Sequence, residues 1–307
     1  MNVDQKLAAI REVIQRDVGN RGLARDPDDN LLTRTRGDFA NACASIASHA
    51  DPTLEVVTEF LIPGDNEAVA ETDGPLGAVF LTRAMVACGI WSVPMTGPYC
   101  VNAIHAGLWK EEIGLVCSRL PPLKTLTINW YEGQEVVLPS TSHLVALERP
   151  GPTQVDGKYR TMRGHDITEW MRPAHLLFER PTRKYITIGI GDGGNEIGMG
   201  KIPHETIVKN IPNGDLIHCR VPTDHLIVAG VSNWGAYALA AGVALFRGVE
   251  LPAELFDPDR EREILQIMVE KGPLVDGVTG KQTATVDGLS WEDYIQPLVE
   301  IGRILKS

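Results

Sequence analysis

Residues 185–201 read YITIGIGDGGNEIGMGK, and the rest of the chain is organised around them. The first six, Tyr185–Ile190, alternate β-branched residues and end in small ones, the pattern of a buried strand before a turn. The remainder holds five glycines (Gly191, Gly193, Gly194, Gly198, Gly200) around Asp192, Asn195 and Glu196. Glycine accepts positive φ and lets backbone approach a ligand closely. A strand entering such a loop can present bare N–H groups together with two carboxylates. With a helix beginning near Gly193, Asp192 and Glu196 share one face. The plainer alternative is a tight strand-to-helix turn with solvated acids. A second such turn and a third acidic loop elsewhere in the chain favour a site.

Two phosphate motifs are weighed against this stretch. Gly189, Gly191 and Gly194 match G-x-G-x-x-G after a strand. Asp192 would then sit where a pyrophosphate belongs, and Pro203 cuts the following helix short. Asp215 opens the next expected strand, where a ribose-binding acid would close one. The P-loop pattern fails because Ile202 follows Gly200-Lys201 and Asn195 stands where its first glycine belongs. An acidic glycine-rich loop suits a cation or an amine better than a phosphate.

Outward from this centre, Leu226–Val231 reads as a second buried strand. Ser232 is the expected N-cap of a helix over 233–246. Leu54–Ile62 is a strand running into DNEAVAETDGP at 65–75, a loop with four carboxylates. Leu144–Glu148 is a strand ended by Pro150-Gly151-Pro152, and further strands fit 90–93 and 126–131. Helical spacing covers 4–17, 31–49, 76–89, 99–113, 258–271 and 291–304. The segment 152–175 is polar and lacks clean periodicity. Strands alternating with helices predict an α/β fold, a mostly parallel, Rossmann-like sheet with helices on both faces. Ligands in such sheets bind outside the carboxyl ends of the strands, which makes loops 63–75, 149–151, 191–201 and 230–235 comparable. With no repeat, low-complexity tract or linker, residues 1–307 are expected to form a single domain.

Composition narrows the classes of function. Hydrophobic content of 43% and charged content of 22% are those of a globular protein. A net charge of −11 argues against nucleic acid and anionic membrane as partners. Five scattered cysteines without C-x-x-C spacing argue against a disulfide framework and a thiolate metal site. No apolar run reaches the roughly 18 residues of a membrane span. The opening MNVDQKLAAIREVI lacks a signal-peptide core, so a cytoplasmic protein is expected.

Glu67, Glu71 and Asp73 run onto a helix that begins at Pro75, a preferred first-turn residue. They are either helix N-terminal acids or ligands for a cation or amine. Oxygen donors without cysteine or histidine would suit Mn²⁺ or Mg²⁺. Asp192 and Glu196 are the catalytic candidates, with Lys201 to orient a substrate carboxylate or simply solvated. Gly193, Gly194, Asn195 and Glu148 are candidate substrate contacts. Ser232 and Asn233 open a helix whose free N–H groups suit an anion. Arg149 reads as half of an internal ion pair, and Asp276 and Asp287 as Asx-type turn formers.

GIGDGGNEIGMGK at 189–201 and AGVSNWGAYALA at 229–240 resemble the two signature blocks of the D-glutamate cyclase C-terminal family. ETDGP at 71–75 and ERPG at 148–151 resemble its shorter motifs, in the right order, so the resemblance covers roughly the whole chain. It implies closure of D-glutamate to 5-oxo-D-proline with loss of water, and a divalent cation, Mn²⁺ foremost. In that reading Asp192 or Glu196 takes the ammonium proton. A metal held by Glu71 and Asp73, with Glu67, polarises the γ-carboxylate. The vertebrate mitochondrial member carries a further N-terminal region resembling a bacterial hydro-lyase-like family and a transit peptide, neither expected here. A related amino acid, a separately encoded partner and a homo-oligomer therefore stay open. The alternatives are a non-catalytic small-molecule or metal-binding module and a nucleotide-dependent enzyme using the glycine loop.

Overall fold

The computed structural model describes residues 1–64, 67–109, 124–125 and 140–307. The strand expected at 126–131, the end of the helix expected over 99–113, and Asp65 lie outside the described residues. Helices α1 (Val3–Ile14), α2 (Leu31–Arg34) and α3 (Asp38–Ser48) lead into strand β1 (Thr53–Thr58) and the hairpin β2 (Leu61–Pro63) and β3 (Ala68–Ala70). Then come α4 (Pro75–Ala87), β4 (Trp91–Thr96), α5 (Val101–Leu108), β5 (Lys124–Thr125) and β6 (His143–Leu147). Helix α6 (His175–Phe178), strand β7 (Ile186–Gly191), helices α7 (His204–Asn210) and α8 (Gly214–Ile217), and strand β8 (His225–Val228) follow. Helices α9 (Ser232–Arg247), α10 (Pro258–Lys271) and α11 (Trp291–Lys306) close the chain.

Local chemistry explains most of these boundaries. Asn2 and Gln5 form a reciprocal capping box that starts α1, and Leu7, Ile10, Val13 and Ile14 make its buried stripe. The single helix expected over 31–49 is two. The Thr35 hydroxyl donates to the Leu31 carbonyl and Gly37 follows, so the chain turns and restarts at Asp38. The strand expected through Ile62 ends at Thr58, because Glu59 takes φ +141° and leaves the ladder. Residues 61–63 pair instead with 68–70 in a separate antiparallel hairpin.

The six-stranded sheet runs β5-β4-β1-β6-β7-β8, with every pairing parallel. Successive strand residues feed two cores. Leu54, Val56, Val145, Leu147, Ile188 and Ile190 join a large one with α1, α3, α4, α5, α9, α10 and α11. Val57, Leu144, Ala146 and Val228 join a smaller one with residues of α6, α7 and α8. The helices do lie on both faces, but unequally. Helix α9 is buried around its whole circumference from Ser232 to Ala244, as an all-apolar helix must be. Gly235 lets it lie directly on β7, since a Cβ there would come 2.4 Å from Ile190 Cγ2. Among the described residues no helix is long and apolar enough to cross a membrane.

From β1 the chain winds outward through β4 to β5, then returns to β6 on the other side of β1. The connections after β1 and β6 therefore diverge, opening a crevice at their carboxyl ends.

Candidate functional site: a buried carboxylate cluster

Two helices begin at this crevice and cap one another. Asp73 Oδ2 accepts from the Ser232 N–H at 2.9 Å, and Oδ1 from the Asn233 N–H at 2.8 Å. Asn233 Oδ1 in turn accepts from the N–H groups of Gly74 at 2.9 Å and Gly77 at 2.7 Å. Each side chain thus satisfies the orphan N–H groups of the other helix. Asp73 Oδ1 also accepts from the Gly74 N–H at 3.0 Å, so Asp73 serves the start of its own helix as well as capping α9. Gly74 makes this approach feasible: at φ +93°, a Cβ would sit 2.6 Å from Thr58 Oγ1 and 2.8 Å from Glu148 Cβ. Ser232 is the first residue of α9, with Val231 at the N-cap position. Its hydroxyl donates to Glu148 Oε2 instead of capping the helix.

Asp73, Glu148 and Asp192 each bring a carboxylate oxygen within 4.8 Å of the others, and all three are buried. The four strand-end loops expected at one edge meet here through Asp73, Glu148, Asp192 and Ser232. Glu71 is buried beside them, and Asp287, half-buried as a residue, turns a side chain only 7% exposed toward them. Arg21 is the guanidinium ion-paired within the cluster, at 2.6 Å from Asp192 Oδ1 and 2.8 Å from Asp287 Oδ2. Asp192 Oδ2 is buried without a hydrogen-bond partner among the described residues.

This crowding raises the carboxyl pKa values. Burial, then the charge of Asp287, pushes Asp73 up to about 7 against the N–H groups of Asn233 and Ser232. Burial pushes Glu148 well above the carboxylate range, helped by Asp192, Glu196, Asp73 and Glu71. Asp192 also rises through burial, although Arg21 opposes it, and Glu71 through burial, Asp287 and Asp73. Such a cluster needs protons or a cation to be stable. With only oxygen donors and one bare buried oxygen, it fits a hard divalent cation.

The glycine loop is built differently from its sequence expectation. No helix begins near Gly193; residues 192–200 are turns and isolated bridges. Glu196 folds back so that Oε1 accepts from Asp192 N and Gly193 N, and Oε2 from Gly194 N. The N–H groups are therefore occupied by the chain's own carboxylate, which leaves neither the nest nor the helix N-terminus that a dinucleotide phosphate needs. Asn195 donates to the Arg160 carbonyl, while its buried Oδ1 has no hydrogen-bond partner among the described residues. Lys201 lies elsewhere. Its ammonium is held by Asp38 and by the Asp224 carbonyl, before β8 and so at the opposite end of the sheet. Glu67 is exposed in the turn of the β2–β3 hairpin, outside the cluster. Arg149 does form an internal ion pair, with Glu59, both side chains fully buried.

Asp276 is the turn former expected, accepting from Val278 N and Thr279 N. Asp287 serves instead as the ion-pair partner of Arg21. Sequence reasoning missed Arg21, which sits in a polar turn that Asp17 organises by accepting from the N–H groups of Arg21, Gly22 and Leu23. A lone arginine between two glycines carries no periodic signal. A cleft of about 400 Å³ reaches Glu71, Glu148, Asp287 and Arg21 at its buried end, and Arg163 and His165 at its exposed rim.

Residues 10–301 match the family model described as D-glutamate cyclase-like, C-terminal. The chain is also similar to a protein of Homo sapiens named D-glutamate cyclase, mitochondrial, at 29% identity over 337 aligned positions. The alignment takes in 98% of this chain and 52% of the human protein, so the chain spans about half the length of that relative.

Proposed function

This chain belongs to the D-glutamate cyclase-like, C-terminal family, and from that premise we propose that it closes D-glutamate, or a close relative, to 5-oxo-D-proline with loss of water. The observation that carries the reading is the cluster of Asp73, Glu148 and Asp192, with Glu148 and Glu71 lining the cleft. In this reaction the α-amine attacks the γ-carboxyl carbon of the same molecule. A C–N bond forms, a C–O bond breaks, and the two protons lost by the ammonium leave with the oxygen as water. The protein must therefore bind an ammonium, take its protons and deliver them a few ångströms away. Buried carboxylates with raised pKa values suit both halves of that transfer near neutral pH. Holding the chain of the substrate folded removes a further several kcal/mol of barrier.

Asp73, Glu148 and Asp192 would hold a divalent cation, Mn²⁺ or Mg²⁺, which when bound supplies Lewis-acid polarisation of a carboxylate. That set keeps Asp73 from the sequence expectation and replaces Glu67 and Glu71 with Glu148 and Asp192. Glu71 is then the proton carrier: it lines the cleft, and burial with the charges of Asp287 and Asp73 raises its pKa well above normal. Arg21 keeps Asp192 and Asp287 in place and tempers their repulsion.

The test is turnover of D-glutamate to 5-oxo-D-proline by the purified chain in Mn²⁺, alongside Glu71→Gln. The variant keeps the shape of the side chain and loses its basicity, so turnover should fall by roughly 10²–10⁴ with the melting temperature held or raised. An inactive parent protein would overturn the reaction; a fully active variant would overturn the role of Glu71.

A further inference from the structure

The cleft is asymmetric in charge. Its buried end is carboxylate, and the guanidinium there, Arg21, is committed to Asp192 and Asp287 through separate nitrogens. An α-amino acid brings an ammonium that this end attracts and an α-carboxylate that it repels. The α-carboxylate needs a cation away from the cluster, on the same cleft. Arg163 lines the cleft at its exposed rim and commits only Nη2, at 3.0 Å from the Val278 carbonyl. Its remaining N–H groups have no partner among the described residues, and they form the edge of a fork that matches a carboxylate.

The turn presenting Arg163 is braced. Thr161 N donates to His165 O at 3.0 Å and Gly164 N to Thr161 O at 2.8 Å, with Gly164 at φ +82°. Arg160 clamps the turn by donating to the Gly164 carbonyl, and Asp156 holds Arg160. Asn195 of the glycine loop ties in the Arg160 carbonyl, and Asn213 ties in the Met162 carbonyl. The position of the turn is thereby set relative to Asp192 and Glu196. The polar 152–175 segment, without periodicity in the sequence, forms this wall of the cleft.

We propose that Arg163 is the specificity determinant that receives the substrate's α-carboxylate, so that the site takes α-amino acids with that group free. The inference rests on the cyclase reading for the identity of the substrate. The experiment measures steady-state kinetics of the parent, Arg163→Gln and Arg163→Lys with D-glutamate and with its α-carboxamide. The parent should favour the free acid strongly. Arg163→Gln should raise KM for D-glutamate by about 10- to 100-fold, leave kcat within about threefold, and lose the preference over the carboxamide. Arg163→Lys should recover part of the preference, because it keeps the charge without the fork. An unchanged melting curve separates this from a structural role of the turn. Arg163→Gln with the parent KM and the parent preference overturns the proposal. If the parent turns over neither compound, the cyclase reading fails, and calorimetric binding of the same two compounds decides the inference. Tighter binding of the free acid that Arg163→Gln abolishes supports it; no binding, or equal binding, overturns it.

Discussion

At Asp73 the N–H groups of Ser232 and Asn233 favour the carboxylate while burial and Asp287 oppose it, and the opposing side prevails. Its pKa of about 7 in the folded protein stands above the usual 3.8. Between those values the unfolded chain has released the proton and the folded protein still holds it. Stability therefore falls as pH rises through this window, and the cost is fully developed above about pH 7, on the order of 4 kcal/mol. Asp73→Asn cannot ionise and escapes that cost, although it loses part of the cap. In cation-free protein the melting temperature of the variant should gain on that of the parent as pH goes from 4 to 7. A gap that stays constant with pH would mean that Asp73 ionises in the fold as it does in water.

The capping pair depends on how closely α4 and α9 pack. A Cβ at Gly77 would meet Asn233 Oδ1 at 2.7 Å, Asn233 Cα at 3.0 Å and Ala236 Cβ at 3.1 Å. Glycine-to-alanine in an open helix position stabilises by up to about 1 kcal/mol, but here the added methyl has nowhere to go. Gly77→Ala should instead cost about 1–3 kcal/mol by overpacking, measured by denaturant unfolding, and should lower turnover by displacing Asn233. A more stable variant would show that the two helices separate freely. Further contacts hold Asn233 in this orientation. Its Nδ2 donates to Tyr294 Oη, which hydrogen-bonds Tyr237 Oη, which donates to Glu261. One buried chain of hydrogen bonds thus ties α9, α10 and α11 to the start of α4.

Across the whole molecule, the cluster holds more carboxyl groups than Arg21 can pair, and a ligand that supplies positive charge should stabilise the fold. Mn²⁺ at a hundred times its Kd should add about 2.7 kcal/mol, a rise of several degrees in melting temperature. Asp192→Asn, which neutralises the carboxylate with the bare oxygen, should shrink that rise. No shift in millimolar Mn²⁺ or Mg²⁺ would show that protons alone neutralise the cluster. The strand at 186–191, the buried helix from Ser232 and the convergence of acidic loops at carboxyl strand ends were legible in the sequence, because apolar periodicity and glycine placement are local signals. Local patterns could not say where each charge would find its partner. Arg21 reaches Asp192 across 171 positions, Asp73 caps a helix 159 positions away, Glu196 turns back on its own loop, and Lys201 goes to the far end of the sheet. A buried charge takes whichever partner the packing of the strands and helices brings within about 3 Å, and only the tertiary structure decides that.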